Sequence, residues 1–91
     1  MSTGTFSEYI YSSLSNGRIP ILHAVTNYLS YYNNHQYWHY IAVQAYDGPN
    51  LQFVLYDSIN NPSYYGIHVV SFMDAYNAMH SVQGRRLISY H

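Results

Sequence analysis

Apolar residues near the N-terminus of this chain recur every three or four positions, the spacing of one face of a helix. The residues with this spacing are Phe6, Tyr9, Ile10 and Leu14. They predict a helix over residues 6–16. Thr5 and Glu8 have the spacing of a capping box, with Thr5 as the N-cap, and Gly17 is typical of the position just past a helix end.

A second helical pattern lies near the C-terminus. Its apolar residues are Phe72, Met73, Tyr76 and Met79. This spacing predicts a helix over residues 72–82. Ser71 and Asp74 form a second capping box at its start, and Gly84 is expected to end it.

The remaining apolar segments are short and rich in β-branched and aromatic residues, which predicts strands. These segments are residues 19–25, 39–46, 51–57, 67–70 and 85–90. The sequence at 47–50 favours a turn that joins the second and third strands as a hairpin, and residues 58–66 form a further turn region. The polar-aromatic residues 27–37 predict a long loop, and such loops are often functional.

The element order, one helix, four strands, a helix and a last strand, predicts an α+β fold. We expect an antiparallel sheet of four or five strands with two helices packed on it. The length of 91 residues predicts a single small domain over residues 1–91. The chain has no cysteine, so no disulfide stabilises this small core.

Charged residues make up only 8% of the sequence, and the net charge is −1. Lysine is absent, and the cations are three arginines. This composition lacks the basic surface that nucleic acids or anionic membranes attract, so neither is an expected partner. The apolar runs are too short to span a bilayer, and the N-terminus lacks the features of a signal peptide. The sequence therefore indicates no particular compartment.

Tyrosine is unusually frequent, with thirteen residues in 91. Its large apolar ring and polar tip suit both the interior of a small β-rich domain and an interface with a second chain. A net charge near zero favours association. A homo-oligomer is therefore one expectation.

His39 and Asp57 stand out within the predicted hairpin. If Gly48 is at the centre of the turn, the two residues are equally far from it and lie directly opposite each other on neighbouring strands. Opposed residues in an antiparallel pair have Cβ atoms about 5 Å apart, so the carboxylate can meet the imidazole. A histidine held by an aspartate is the base component of a nucleophilic catalytic site.

Four segments of the chain form a longer pattern. They are Gly17-Arg18-Ile19-Pro20-Ile21, the run from Trp38 to Asp47, Tyr56-Asp57-Ser58, and the run from Tyr65 to Met79. Over residues 12–82 this pattern resembles the C-terminal half of C39-like cysteine peptidases, which belong to the papain-like superfamily. The matching landmarks are Gly17, Pro20, His39, Asp47, Asp57 and Gly66. The resemblance implies a fold like the sheet-bearing half of a papain-like domain.

The resemblance also implies roles for two residues. His39 matches the catalytic histidine of the family, and Asp57 matches the aspartate that orients it. The family's N-terminal glutamine and nucleophilic cysteine have no counterpart here, because the chain has no cysteine and nothing that corresponds before Thr5. We therefore expect a truncated C39-like module that is catalytically incomplete alone, and that acts with a Cys-bearing partner chain or as a binding domain.

Other interpretations remain open at this stage. His39 can act as a general acid–base on a small substrate in a stand-alone enzyme, and a Tyr-rich chain can be a structural or assembly protein. His39 and Asp57 can equally be a plain cross-strand pair. A serine nucleophile is a weaker alternative, for which the candidates are Ser13, Ser15 and Ser58.

A metal site is the last alternative. His35, His39 and Asp57 would form a site of two histidines and one carboxylate if the loop at 27–37 folded back over the strand. His23 lies on a different predicted strand. Scattered histidines without a metal are the more common arrangement, so no metal and no cofactor are expected.

Overall fold

A computed structural model of the protein describes residues 2–80 and 87–90. Its elements, in chain order, are α1 (Thr3–Ser15), β1 (Ile19–Val25), β2 (Trp38–Asp47), β3 (Gln52–Asp57), β4 (Gly66–Ser71), α2 (Phe72–His80) and β5 (Leu87–Tyr90). Two short 3₁₀ turns, Thr26–Tyr28 and Ser30–Tyr32, lie between β1 and β2.

The five strands form one antiparallel sheet in the order β4-β3-β2-β1-β5. With two helices packed on it, this is the predicted α+β fold. The strands β1 to β4 are neighbours in sequence order, and β5 adds to the far side of β1. Of the helices described, none is long and apolar enough to cross a membrane.

Both helices pack on the same face of the sheet. Their buried residues belong to one cluster with the strand residues that point towards them: Phe6, Ile10, Leu22, Ala24, Ile41, Val43, Phe53, Leu55, Val70, Phe72, Ala75, Ala78 and Met79. Burial of such side chains is the main driving force for folding a chain without disulfides. The opposite face of the sheet is exposed to solvent, for example at Tyr40 and Val69.

Helix α1 begins earlier than predicted. Ser2 is the N-cap, and its Oγ accepts a hydrogen bond of 3.1 Å from the backbone N of Thr5. Thr5 therefore lies within the first turn, and the predicted capping box of Thr5 and Glu8 is wrong. The end is as predicted: Gly17 has φ of 72°, and Arg18 N donates to Ser13 O at 2.9 Å, which is a Schellman motif.

Helix α2 begins at the predicted residue. Ser71 Oγ accepts a hydrogen bond of 3.0 Å from Asp74 N, which satisfies one free backbone donor. Met73 was expected on the apolar side but is exposed, and Ala75 and Ala78 are buried instead. The predicted helix end at Gly84 and the arginines at 85–86 lie outside the described residues.

The turn between β2 and β3 spans residues 48–51, because Asp47 pairs with Gln52. Leu51 adopts a left-handed conformation with φ of 52°. Asn50 donates hydrogen bonds from its backbone N and its Nδ2 to the Asp47 carboxylate, at 3.4 and 2.9 Å. The hairpin is therefore centred beyond the glycine on which the prediction placed it.

A β-bulge at Gln44 then shifts the hairpin register by one residue back towards the prediction. Before the bulge Ala42 pairs with Tyr56, so Asp57 is two positions away from the residue opposite His39. The prediction that His39 and Asp57 are directly opposed is wrong. Because side chains alternate between faces with a period of two, a shift of two residues still leaves both side chains on the same face.

Candidate functional site

His39 and Asp57 contact each other on the helix-covered face of the sheet. His39 lies near the start of β2 and Asp57 ends β3. The imidazole reaches diagonally along the sheet, and its Nε2 is 3.0 Å from Asp57 Oδ1. A diagonal pair is about 7–8 Å apart at the backbone, a separation that a histidine side chain can bridge.

The Asp57 carboxylate is fully buried and accepts four hydrogen bonds. Oδ2 accepts from the hydroxyls of Tyr31 at 2.8 Å and Tyr32 at 2.6 Å. Oδ1 accepts from the backbone N of Ile59 at 3.0 Å and from the ring of His39. Each oxygen therefore has two donors, which is the arrangement that a buried carboxylate requires.

These contacts decide the ionisation of Asp57. Burial alone raises the pKa of the carboxyl, but hydrogen bonds from Tyr32, Tyr31 and Ile59 N, together with the nearby His39, lower it further than burial raises it. The pKa of Asp57 is therefore below its ordinary value, and the side chain is a carboxylate at neutral pH. Burial and the hydrogen bonds to Asp57 raise the pKa of Tyr31 and of Tyr32, so both phenols stay protonated and donate.

The ionised carboxylate also fixes the tautomer of His39. A carboxylate has no proton to donate, so the hydrogen between the two residues is on Nε2 of the imidazole. In the neutral ring Nδ1 then carries the lone pair. His39 is 23% exposed, and within residues 2–80 and 87–90 no group is seen to hydrogen-bond Nδ1. The arrangement leaves one basic nitrogen that can take a proton from an approaching group.

The loop between β1 and β2 positions the two tyrosines. Its ends are held together by Thr26, whose Oγ1 donates to His35 O at 2.9 Å and accepts from Tyr37 N at 2.7 Å. Asn33 and Asn34 take left-handed conformations with φ of 52° and 67°, which asparagine tolerates in turns. The two 3₁₀ turns are thus folded against the sheet and bring their tyrosines over Asp57.

Aromatic stacking holds the tyrosine rings in place. Tyr31 stacks on His68 with ring centres 3.6 Å apart, and Tyr32 stacks on Tyr64 at 4.2 Å. His68 Nε2 donates to Tyr64 O at 2.7 Å, which links the two stacks. The rings therefore have little freedom to move away from the carboxylate.

Sequence reasoning missed Tyr31 and Tyr32 as partners of Asp57. The signal available was an adjacent pair of tyrosines in an unusually long loop just before the strand that carries His39. That signal marks the loop as noteworthy, but it does not identify the residue that the hydroxyls contact.

The alternative metal site does not form. The His35 ring is hydrogen-bonded through Nδ1 to the Tyr64 hydroxyl, and it does not join His39 and Asp57. Within the part of the chain that the structure describes, no three histidine, aspartate or glutamate side chains are grouped as metal ligands.

Two cavities lie away from the pair. One of about 530 Å³ is at the hairpin end of the sheet, where Tyr46, Leu51 and Phe72 contribute to its walls. Another of about 320 Å³ is lined by residues that include Ala42 and Tyr56. Neither includes His39 or Asp57 among its lining residues.

Comparison of the chain with models of known protein families, with curated proteins and with solved structures gives no match. The geometry around His39 and Asp57 is therefore the basis for a functional proposal.

The lowered pKa of Asp57 predicts a specific loss of stability in acid. A carboxyl whose pKa is lower in the folded than in the unfolded state stabilises the fold above its unfolded value, here 3.8, and loses this contribution as pH falls through the folded value. We expect the free energy of unfolding of the wild-type chain to fall more steeply below pH 4 than that of Asp57→Asn. Urea titrations at a series of pH values measure this difference, and equal slopes for the two chains would contradict it.

Proposed function

We propose that this chain supplies the His–Asp part of a cysteine-peptidase-like site, with His39 as the base and Asp57 as the residue that orients it. The nucleophile in this proposal comes from a Cys-bearing partner chain, because the chain itself has no cysteine. Alone, the chain is catalytically incomplete.

The observation that carries the proposal is the direction in which the His39 ring is held. Asp57 binds Nε2 at 3.0 Å, and the ring is partly exposed with its other nitrogen free for proton exchange. Tyr31 and Tyr32 keep Asp57 ionised and rigid, so the imidazole has a fixed tautomer and orientation. A pair with a purely structural role does not need an accessible ring nitrogen.

The chemistry in this proposal is proton transfer from a thiol. As a thiol approaches an acyl group, His39 Nδ1 takes its proton while the sulfur forms a bond to the carbonyl carbon. The leaving group departs with the bonding electrons, and the imidazolium then gives its proton to the leaving group or to water. Asp57 stabilises the imidazolium without accepting the proton.

A stand-alone acid–base enzyme is the second candidate. The partial exposure of His39 favours it, because a small substrate can reach the ring without a partner chain. The two candidates differ in whether turnover requires an added nucleophile.

Chemical complementation with a small thiol tests the first candidate. We expect the purified chain to accelerate thiolysis of p-nitrophenyl acetate by 2-mercaptoethanol. His39→Gln should reduce that thiol-dependent rate about tenfold, which is less than the roughly 10²–10⁴-fold effect of a general base because the thiol is not positioned. Without the thiol we expect no turnover of peptide substrates. The release of p-nitrophenolate and of peptide products measures both.

His80→Gln is the matched control, because it removes another partly buried histidine. Both variants therefore keep the same number of imidazoles, which can also act as bases in solution. His80→Gln should retain the thiol-dependent rate. If His39→Gln loses no more activity than His80→Gln, the base role is wrong. If the chain alone turns over a peptide and His39→Ala abolishes this turnover, the stand-alone enzyme replaces the proposed incomplete module.

A further inference from the structure

The face of the sheet opposite the helices is apolar and exposed. This outer face consists of the odd-numbered residues of β1 and β4 and the even-numbered residues of β3 and of β2 up to Ala42. Its large exposed side chains are Ile19, Trp38, Tyr40, Tyr56, Ile67 and Val69. Of the outward-facing strand residues whose side chains are described, Asp47, at the hairpin end of β2, is the one Asp, Glu, Lys or Arg.

The exposed apolar area is large for a chain of this size. Trp38 is 61% exposed, and Ile67 and Val69 are 54% and 55% exposed. With a large side chain presenting about 200 Å², the six exposed side chains together offer roughly 600 Å² to water. The largest apolar patch on a typical monomer is about 300–600 Å², and a stable interface takes about 800 Å² from each partner. Partly exposed neighbours on the same face bring the outer face close to that value.

The outer face also contains a cavity of about 320 Å³. The ladder between β1 and β2 ends at the pair Ile21 and Ala42, and the bulge at Gln44 lies just beyond it. The cavity opens between the outward-facing residues Ile19, Ala42 and Tyr56, and Gln44, Leu14 of α1 and the core residue Val43 complete its lining. Its walls are mainly apolar, which suits an aromatic side chain.

The protruding side chain and the cavity lie on the same strand. Trp38 and Ala42 are both on the outer face of β2, on either side of Tyr40. Consider a two-fold axis that runs above Tyr40, parallel to the plane of the sheet and perpendicular to β2. It places Trp38 of one copy over Ala42 of the other. The face is thus complementary to itself under the symmetry that most dimers have.

We propose that the outer face binds a second copy of this chain, with Trp38 of each copy in the cavity over Ala42 of the other. The two sheets then pack face to face as a sandwich, with helices on both outer sides. A face whose one charged residue lies at its hairpin end offers little that selects a charged partner, whereas a second copy matches both its shape and its chemistry. This interface is on the side of the sheet opposite His39, so it does not depend on the proposed function.

The fluorescence of Trp38 tests the interface directly, because it is the one tryptophan in the sequence. Sedimentation of the wild-type chain should give a dimer at micromolar concentrations. On dilution to monomer, quenching of Trp38 by acrylamide should increase severalfold and its emission should shift to longer wavelength. A monomer at all concentrations overturns the proposal, as does a dimer in which Trp38 is quenched as fully as in the monomer.

Ala42→Glu provides a second test, since it fills the cavity and places a carboxylate against Trp38 of the other copy. We expect it to move the dimer midpoint at least about tenfold higher in concentration. Met73→Glu, which charges an exposed apolar residue on α2, is the control and should leave the midpoint unchanged. Equal dissociation of both variants overturns this interface. If Ala42→Glu does not fold by circular dichroism, the quenching of wild-type Trp38 decides the question alone.

Discussion

We expect Asp57→Ala to lower the free energy of unfolding by about 4 kcal/mol, which is a large part of the stability of a domain of this size. The substitution leaves four donors without their acceptor: the hydroxyls of Tyr31 and Tyr32, the backbone N of Ile59 and the ring of His39. Each buried donor left unpaired costs about 1–3 kcal/mol, reduced where water can reach it. Urea denaturation monitored by circular dichroism measures the change.

Asp57→Asn should be intermediate, with a loss of about 2 kcal/mol. The amide keeps the shape and some of the hydrogen bonds, but the bonds become neutral and the buried hydroxyl proton of Tyr32 loses its acceptor. Asp74→Ala is the control, because Asp74 is a carboxylate that is only partly buried, in the first turn of α2, and its loss should cost under about 1 kcal/mol. A loss at Asp57→Ala no larger than at Asp74→Ala would show that the four hydrogen bonds do not form.

The second large effect is expected for the double variant Tyr31→Phe/Tyr32→Phe, at about 3–4 kcal/mol. A hydrogen bond to a charged group contributes about 1.5–3 kcal/mol, and Tyr32 should cost more than Tyr31 because its ring is fully buried. The double variant leaves Oδ2 of Asp57 with no donor. Its loss should therefore exceed the sum of the two single losses.

The same double variant should raise the pKa of Asp57, since two of the hydrogen bonds that lower it are gone. Acid unfolding should then begin at a higher pH than in the wild-type chain. Tyr28→Phe, in the same loop with an exposed ring, is the control and should change stability by no more than about 0.5 kcal/mol. Strictly additive single losses, with no change in acid unfolding, would contradict the shared-carboxylate geometry.

The fold was predictable because its signals are local. The residues of α1 and of the strands show periods of 3.6 and 2 in the sequence, and Gly17 marks a helix end that needs positive φ. The N-terminus of α1 was misplaced because Ser2 and Thr5 are both good caps, and spacing alone does not choose between them. The alternation of apolar and polar residues fixed which face of each strand is buried.

The site was predictable only in part. His39 and Asp57 were found because a hairpin brings together residues at a countable distance from its turn. Their exact pairing was missed because Leu51 takes a left-handed conformation that its side chain does not favour, which the sequence gives no reason to expect. Tyr31 and Tyr32 reach Asp57 across 26 and 25 residues, and contacts of that range leave no periodic trace in the sequence.

The bulge at Gln44 has a consequence for changes in the length of β2. The residues of β2 before it face the helices at odd numbers, as Val43 does, whereas Tyr46 beyond it faces the helices at an even number. One extra residue is thus accommodated without turning either half of the strand over. We infer that deletion of Gln44 would restore a regular ladder and leave both His39 and Tyr46 on their present side. This strand can therefore lose one residue at that point while the half that carries His39 and the hairpin half keep their orientation.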